Sequence, residues 1–258
     1  MATGGQAHRR WVPVAILLVL TALMVAGIVK ANIWKQGLRV SQVEARGGRI
    51  VPDADILALA GVQKDQKLFD IDLAAVRRRV EQNPFIKSAA VNREVPDRIV
   101  ITVAEREPIV AMAGERLTYL DAEGVVLPSV RSNQVLDLPI LTGDYPGQDA
   151  GSGSRIASEP VIDALTLLAT ARAVSDELYR GISEVHIGPG RDPVVYMGEG
   201  GVPVLFGPGN AYGQCVKLET FWKQFAVPRG TAELEYIDLR FDDQVVVRWR
   251  HAPELAQQ

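Results

Sequence analysis

The residue types that most often carry enzyme chemistry are sparse in this sequence of 258 residues. Its three histidines, His8, His186 and His251, lie far apart, and the sequence contains no HExxH pair. The single cysteine, Cys215, excludes an intramolecular disulfide and a metal site built on cysteines. We therefore expect neither a metal nor a cofactor.

Other patterns that could carry chemistry are equally incomplete. The glycine-rich stretch FGPGNAYG, 206–213, precedes a predicted helix and could hold an anion there, but it lacks the Lys-Ser/Thr of a P-loop. No G-x-S-x-G is present, and His186 lies inside an alternating strand pattern. Acidic pairs such as Asp242-Asp243 and Glu105/Glu107 are common at turns and strand ends. We predict a non-enzymatic protein without a small-molecule substrate.

Composition narrows the class further. Apolar residues make up 47% of the chain and charged residues 23%, which is typical of globular domains. The net charge of −3 argues against a nucleic-acid-binding protein, since such a protein needs a basic face to displace counterions from phosphates.

An apolar segment near the N-terminus predicts a transmembrane helix over residues 11–30. No charge occurs from Trp11 to Val29, and residues 12–29 would rise about 27 Å as a helix, close to the thickness of the hydrocarbon layer. Trp11 and Trp34 stand where interfacial anchors are expected. A cleaved signal peptide is the alternative, but its apolar run is usually 7–15 residues.

The orientation of this helix is left open by charge. Arg9 and Arg10 precede it, whereas Lys30, Lys35 and Arg39 follow it, so the positive-inside rule does not favour a cytoplasmic N-terminus.

Residues 38–107 predict a small domain of order β-α-α-β-β. A strand over 38–47 is followed by a helix that ends at Gly61 and by the helix LAAVRRRVEQN, capped by Asp70 or Asp72. Two alternating strands, SAAVNREV and RIVITVAE, meet at Pro96-Asp97. Two helices should therefore pack on one face of a three-stranded sheet.

Residues 108–250 predict a mixed, mainly antiparallel β domain with two helices, followed by a tail over 251–258. The longest helix, VIDALTLLATARAVSDELY, begins at Ser158-Glu159-Pro160, and the second helix is AYGQCVKLETFWKQF. LDLPILTG is expected to be a proline-broken connection. Trp222 and Phe225 are expected in the core. The fold class is therefore α+β, with a single transmembrane helix and two folded domains.

The last strand alternates between two faces. One face carries Val245, Val247 and Trp249, and the other carries Gln244, Val246, Arg248 and Arg250. Such a strand is either inside the sheet or at its edge, where it is a template for strand addition. The two arginines would then either discourage unwanted pairing or contact a partner.

Aromatic residues dominate interface hot spots, so Phe241 and Trp249 are the anchor candidates at this strand. Arg240 is a further candidate, although it could instead form a salt bridge with Asp238 or a neighbour. Arg191, at the base of the hairpin over 192–206, is a weaker one.

Together these elements resemble the bacterial cell-division family FtsQ/DivIB over nearly the whole chain after residue 11. The second domain contributes YLDAEGVVL, LPILTG and YIDLRF, which look like the family's β domain. The first resembles a POTRA module through these residues: Leu68-Phe69, Asp72, Pro84-Phe85-Ile86, Ala90-Val91, Arg93, Pro96, Ile101, Val103, Glu105-Arg106 and Pro108.

The resemblance implies a bitopic scaffold of the divisome that is needed for septum formation. It implies binding of FtsB and FtsL, with FtsB adding a strand to the last strand of the β domain, and an upstream division protein on the POTRA domain. It also implies a cytoplasmic tail over residues 1–10, a helix in the inner membrane and a periplasmic remainder at the division septum.

Two other functions stay open. One is a POTRA-bearing accessory of envelope protein transport or assembly, although outer-membrane assembly proteins carry several POTRA copies and a C-terminal barrel, which 258 residues do not hold. The other is a periplasmic enzyme of unknown type.

Overall fold

The computed structural model describes residues 6–113, 117–129, 136–188, 193–198, 200–241 and 243–250, and their side chains from residue 14 onwards. The chain divides into two compact units. The first comprises Met1–Gln82 with Ile86–Glu105, and the second comprises Asn83–Phe85 with Arg106–Gln258.

The first unit begins with helix α1, Gln6–Gly37. Its portion Val14–Gly37 contains an 18-residue window with a mean hydropathy of 2.5, and none of that window is buried. Among the described residues, this helix alone is long and apolar enough to cross a membrane. Its apolar side chains are exposed on all sides, as expected of a helix whose surroundings are lipid tails.

The rest of the first unit is a three-stranded sheet with two helices, as predicted. Its elements are β1 Gln42–Arg46, α2 Asp53–Ala60, α3 Leu73–Val80, β2 Ile86–Glu94 and β3 Arg98–Glu105. The strand order is β1-β3-β2, in which β3 pairs in parallel with β1 and antiparallel with β2. The crossover through α2 and α3 allows the parallel pair.

Strand β1 is shorter than the predicted strand over 38–47. Residues 38–40 pair instead with the loop before α3: Leu68 donates its backbone N–H to Leu38 at 2.9 Å, and Val40 donates to Gln66 at 2.9 Å. Asp72 rather than Asp70 caps α3, because its carboxylate accepts from the N–H groups of Ala74 and Ala75.

A carboxylate fixes the loop ahead of α2. Glu105, at the end of β3, accepts backbone N–H groups from Arg49 at 2.9 Å, Ile50 at 2.9 Å and Val51 at 2.8 Å. Backbone donors in a loop lack the partners that a helix or sheet supplies, and this single side chain satisfies three of them. Ile56, Leu68, Ile99 and Ile101 form the fully buried centre of this unit.

The second unit is built on a nine-stranded sheet of order β12-β11-β10-β9-β8-β7-β4-β5-β6. Five of its neighbouring pairs are antiparallel and three are parallel, as expected of a mixed, mainly antiparallel domain. Its strands are β4 Pro108–Met112, β5 Thr118–Asp121, β6 Val126–Leu127, β7 Ile140–Gly143, β8 Ile182–Ile187, β9 Pro193–Met197, β10 Val202–Leu205, β11 Leu234–Asp238 and β12 Val246–Trp249.

Two predicted elements of this unit were wrong. LPILTG is not a connection, because β7 lies inside the sheet between β4 and β8. The longest helix is interrupted at Ser175, which takes an extended backbone (φ −163°) and whose hydroxyl accepts the N–H of Leu178 at 3.3 Å. It therefore consists of α4, Glu159–Val174, and α5, Asp176–Arg180. Serine competes with the helix for backbone groups and so begins a new one here.

Helical segments cover one face of this sheet. After α6, Ala211–Phe221, the chain continues as a π-helical turn, Trp222–Ala226, then α7, Val227–Arg229, and a 3₁₀ turn, Thr231–Glu233. The buried residues of α4 and α6 join the core with the inner face of the sheet. The buried hydroxyl of Tyr179 donates to the carbonyl of Ile109 at 2.7 Å, and burial raises the pKa of Tyr179 to about 12.

The turn after β11 is held by an ion pair. Arg240 Nε lies 2.9 Å from Asp238 Oδ1, Arg240 Nη2 lies 2.6 Å from Asp238 Oδ2, and the backbone N–H of Arg240 donates to Oδ1 at 3.0 Å. Asp238 is buried whereas the Arg240 side chain is 54% exposed. The hydrogen bonds from Arg240 hold the pKa of Asp238 below its usual value.

This pair predicts an acid-dependent stability. Because the folded-state pKa of Asp238 is depressed, its stabilising contribution is present at neutral pH and is lost as the pH falls below the usual value of 3.8. Asp238→Asn should lower the free energy of unfolding by about 1–2 kcal/mol at pH 7, a figure reduced for the exposure of Arg240. Urea unfolding of the full chain in detergent, followed from pH 7 to pH 3, measures this.

The matched control is Glu235→Gln, which removes an ion pair with Arg248 whose partners are both well exposed. Its effect at pH 7 should stay within about 0.5 kcal/mol. If Asp238→Asn costs no more than this control, or if its deficit persists undiminished at pH 3, the ion pair does not stabilise the turn.

Candidate protein-interaction surface

Strand β12 forms one end of the nine-stranded sheet and pairs only with β11 among the described residues. The opposite end is closed by the chain itself: Val126 of β6 donates to Ser154 at 2.9 Å and accepts from Gly153 at 2.7 Å. The two ends of the sheet are therefore unlike, and β12 is the end that no other described segment pairs with.

The backbone groups that β12 leaves open follow from its register. Asp238 is opposite Val246 and Tyr236 is opposite Arg248, and the N–H of Arg250 donates to Glu233 at 2.8 Å. Residues 246, 248 and 250 therefore direct their backbone groups to β11. Because the direction alternates along a strand, residues 245, 247 and 249 direct theirs away from the sheet.

A groove of about 560 Å³ runs between β12 and the helical segment from α6 to α7. Val245, Val247 and Trp249, which the sequence placed on one face of the last strand, line one side of it. Apolar and polar residues of the helical segment and of the turn before β12 complete it: Val216, Lys217, Thr220, Phe221, Phe225, Arg229, Asp243 and Gln244.

The π-helical turn explains one wrong prediction. Phe225 was expected in the core, but it is 46% exposed and lines the groove, stacked on Phe221 with ring centroids 5.8 Å apart. A π-helical turn inserts an extra residue into the helical period and so rotates the residues that follow. Trp222 is half-buried and packs against the core.

Phe241 lies in the turn before β12, and Trp249 is the last residue of β12. Phe241 is 45% exposed, and its carbonyl accepts a hydrogen bond from Lys217 Nζ at 2.6 Å. Trp249 is half-buried, and the guanidinium of Arg229 lies 5.8 Å from its ring centroid. The backbone of Phe241 and the ring of Trp249 are thus contacted by the helical segment, and part of each side chain stays accessible.

The arginine candidates have different environments. Arg240 forms the ion pair with Asp238 described above, which was the alternative considered for it, yet half of its side chain remains exposed. Arg248 forms an exposed ion pair with Glu235 at 3.1 Å. Arg191 lies outside the described residues.

Sequence reasoning missed the helical side of this surface. Val216, Phe221 and Phe225 are accessible or half-buried, whereas Cys215 and Leu218 of the same helix are buried. The signal was a helix with apolar residues on more than one face, since a helix covering only a core needs a single apolar stripe.

In the part of the chain that the structure describes, His186 belongs to a polar cluster and not to a catalytic triad. Thr142 and His186 are opposite each other on β7 and β8, and Thr142 Oγ1 lies 2.8 Å from His186 Nδ1. Glu184 also faces that nitrogen, at 3.9 Å, and accepts from the Thr142 hydroxyl at 2.5 Å. A catalytic triad needs the third group on the other ring nitrogen, so this is a cross-strand polar cluster.

Metal and thiol chemistry have no visible support in the described part of the chain. No group of three or more His, Cys, Asp or Glu residues there could hold a metal ion. Cys215 is fully buried, and burial raises the pKa of its thiol to about 12, so it remains protonated and inert.

Because the backbone groups of residue 247 point away from β11, a proline at this position should weaken the binding of a partner strand without unfolding the sheet. Val247→Pro removes an N–H that points away from β11, so the sheet keeps its hydrogen bonds, and proline is tolerated on edge strands. The variant should fold but should bind a strand partner about tenfold more weakly or worse. Titration of FtsB, the candidate partner implied by the resemblance, against the full chain in detergent measures this.

Val247→Ala is the matched control, because it removes the same side chain but keeps the N–H. Circular dichroism should show both variants folded. Equal affinity of the two variants would mean that no partner strand bonds to this edge.

The aromatic residues predict a second effect on the same titration. Truncation of a buried aromatic anchor commonly costs 2 kcal/mol or more, so Phe241→Ala and Trp249→Ala should each weaken FtsB binding by about 30-fold. Tyr212→Ala is the control, since Tyr212 is a 65% exposed aromatic residue of α6 that does not line the groove. Unchanged affinity in folded variants would remove these two residues from the site.

Comparison with known proteins agrees with both units. The FtsQ-type POTRA domain model matches residues 38–106, and the C-terminal domain model of cell division protein FtsQ/DivIB matches residues 109–240. The second match spans most of the sheet that carries the groove.

Curated relatives match over most of their length. Cell division protein FtsQ of Rhodothermus marinus is 33% identical over 239 residues, which is 90% of this chain and 85% of the relative. The protein of the same name from Geobacter sp. strain M21 is 30% identical over 211 residues, 82% of this chain and 76% of the relative. The chain therefore belongs to the FtsQ/DivIB family of cell-division proteins, with a POTRA domain, a mixed β domain and an N-terminal apolar helix that fits a membrane span.

Proposed function

We propose that this chain is a divisome scaffold that binds FtsB, and through it FtsL, by adding a strand of FtsB to β12. The observation that carries this proposal is the difference between the two ends of the nine-stranded sheet. One end is covered by residues 153 and 154, while no described segment pairs with the backbone groups that residues 245, 247 and 249 direct outward at β12. An open edge is the template that strand addition uses.

The groove beside β12 supports the same proposal. An added strand would lie next to Val245, Val247 and Trp249, so its side chains on one face could enter the apolar space between β12 and the helical segment. Backbone pairing then supplies affinity and the groove supplies selectivity for particular side chains. Phe241 and Trp249 act as anchors at the two ends of this surface.

The arginines on and just after β12 favour pairing with a particular partner over pairing with any exposed strand. Arg248 is an exposed residue of β12, and Arg250 is the first residue after the end of β12. Charged side chains on an edge strand oppose pairing with a second copy of the same edge, because like charges would then meet. A partner segment with acidic residues would gain from the same arginines.

The POTRA domain supplies a second contact in this proposal. Its sheet has two outer strands, β1 and β2, and either could receive an upstream division protein. With the N-terminus in the cytoplasm, α1 anchors the chain in the inner membrane, and both folded units lie in the periplasm at the septum. The membrane helix and the family support this arrangement.

Localisation tests the proposed role directly. A fluorescent fusion to the N-terminus should form a sharp midcell band in dividing cells, in the way a divisome component must. The control is the same fusion carrying Tyr212→Ala, at an exposed residue that does not line the groove, which should give the same band. Uniform signal around the envelope from a functional fusion would favour the alternative role in envelope protein transport or assembly.

A further inference from the structure

A basic and aromatic patch surrounds the point where α1 joins the POTRA domain. We call it the juxtamembrane patch. Its members come from the end of α1, the connection between α1 and β1, the loop before α3 and strand β2. They are Lys35, Arg39, Lys64, Lys67, Phe69 and Arg93. All except Arg93 are exposed, and none was assigned a role by the site described above.

Backbone hydrogen bonds hold this patch beside the membrane helix. Leu38 follows directly on α1, and its carbonyl accepts from Leu68 at 2.9 Å. Arg39 forms an antiparallel bridge with Lys67. The loop over 64–70 is therefore paired with the first residues that leave α1, and it stays at the level of the helix end.

The depth of the patch follows from helix geometry. A helix needs about 20 residues to cross the hydrocarbon layer, so a crossing that starts between residues 12 and 14 ends at about residues 31–33. At 1.5 Å per residue, Lys35 then lies about 3–6 Å beyond the hydrocarbon, within the headgroup layer.

Phe69 is held at that same level. Lys35 Nζ lies 5.7 Å from the centroid of its ring, and the guanidinium carbon of Arg93 lies 5.7 Å from it as well. Arg93 is itself fixed, because its Nε donates to the carbonyl of Leu68 at 2.9 Å and its second nitrogen to that of Ile71. The ring is nevertheless 38% exposed. It is thus preorganised at the interface, where aromatic residues are favoured.

Acidic residues in the loop do not cancel this charge. Asp65 and Asp70 lie in the same segment, and Asp70 is 3.9 Å from Lys67 in an exposed ion pair. Asp72 is occupied as the cap of α3. The basic residues outnumber these acids, so the patch keeps a positive potential toward an anionic surface.

We propose that the juxtamembrane patch binds the anionic headgroups of the phospholipid leaflet at which α1 ends. Lys35, Arg39, Lys64 and Lys67 would contact headgroup phosphates while Phe69 enters the interface between headgroups and acyl chains. Each cation near an anionic membrane contributes to such binding, and the contribution is screened by salt. This inference depends on the membrane helix and not on the proposed binding of FtsB.

Local lipid enrichment tests the proposal on the full chain. Gln66→Cys places a label in the loop, and the buried Cys215 leaves that thiol as the reactive one among the described residues. The labelled chain is placed in phosphatidylcholine nanodiscs. These contain a trace of a lipid with a nitroxide on its headgroup, which is phosphatidylglycerol in one sample and phosphatidylcholine in the other. The phosphatidylglycerol nitroxide should quench the label more strongly, and high salt should reduce the difference.

The double variant Lys35→Gln/Lys67→Gln should lower the relative association of phosphatidylglycerol by about fivefold for each lysine removed. Its matched control is Arg77→Gln/Arg180→Gln, which removes two exposed charges outside the patch and should retain the preference. No other protein is present, so the preference measures the association of lipid with this chain alone.

Three results would overturn the proposal. Equal quenching by both nitroxide lipids would exclude headgroup selectivity. Absence of quenching by either would place the loop away from the bilayer. An undiminished preference in a folded double variant would show that these lysines do not carry the binding.

Discussion

An open β-sheet ends in two strands, each with backbone groups on its outer side that no further strand of the sheet pairs with. In the second unit of this protein, the two end strands differ in how these groups are covered. Residues 153 and 154 cover β6, whereas no segment that the structure describes pairs with the outward groups of residues 245, 247 and 249 at β12. The remaining features of this end serve to keep β12 ordered while it is exposed. The ion pair of Asp238 with Arg240 fixes the turn that leads to it, and Lys217 holds the carbonyl of Phe241.

The helical segment gives this edge its selectivity. Without α6 and the π-helical turn, β12 would offer only backbone groups, which do not distinguish one extended partner from another. Phe221 and Phe225 place apolar surface along one side of the strand, and Arg229 of the same helical segment lies 5.8 Å from the ring centroid of Trp249. Exposed apolar surface such as that of Phe225 is unfavourable in water, and here it lies where a bound partner could cover it.

Local patterns predicted the POTRA domain well and the β domain less well. The strands around Pro96 alternate clearly, and Asp72 is a strong helix cap, so each element was recognisable from its own residues. Strand β4 has all five residues buried and therefore shows no alternation, and β7 is short and preceded by a proline. The interruption at Ser175 was also missed, because the apolar pattern runs across it.

The sequence by itself determined the membrane helix, the β-α-α-β-β order and the scarcity of chemical motifs, since each depends on neighbouring residues. It also placed Val245, Val247 and Trp249 on one face, because side chains alternate along any strand. Only the tertiary structure decided that β12 is an edge, that Phe225 lines a groove and that Phe69 lies at the end of α1. Those features depend on pairings between residues far apart in the chain, which local patterns do not encode.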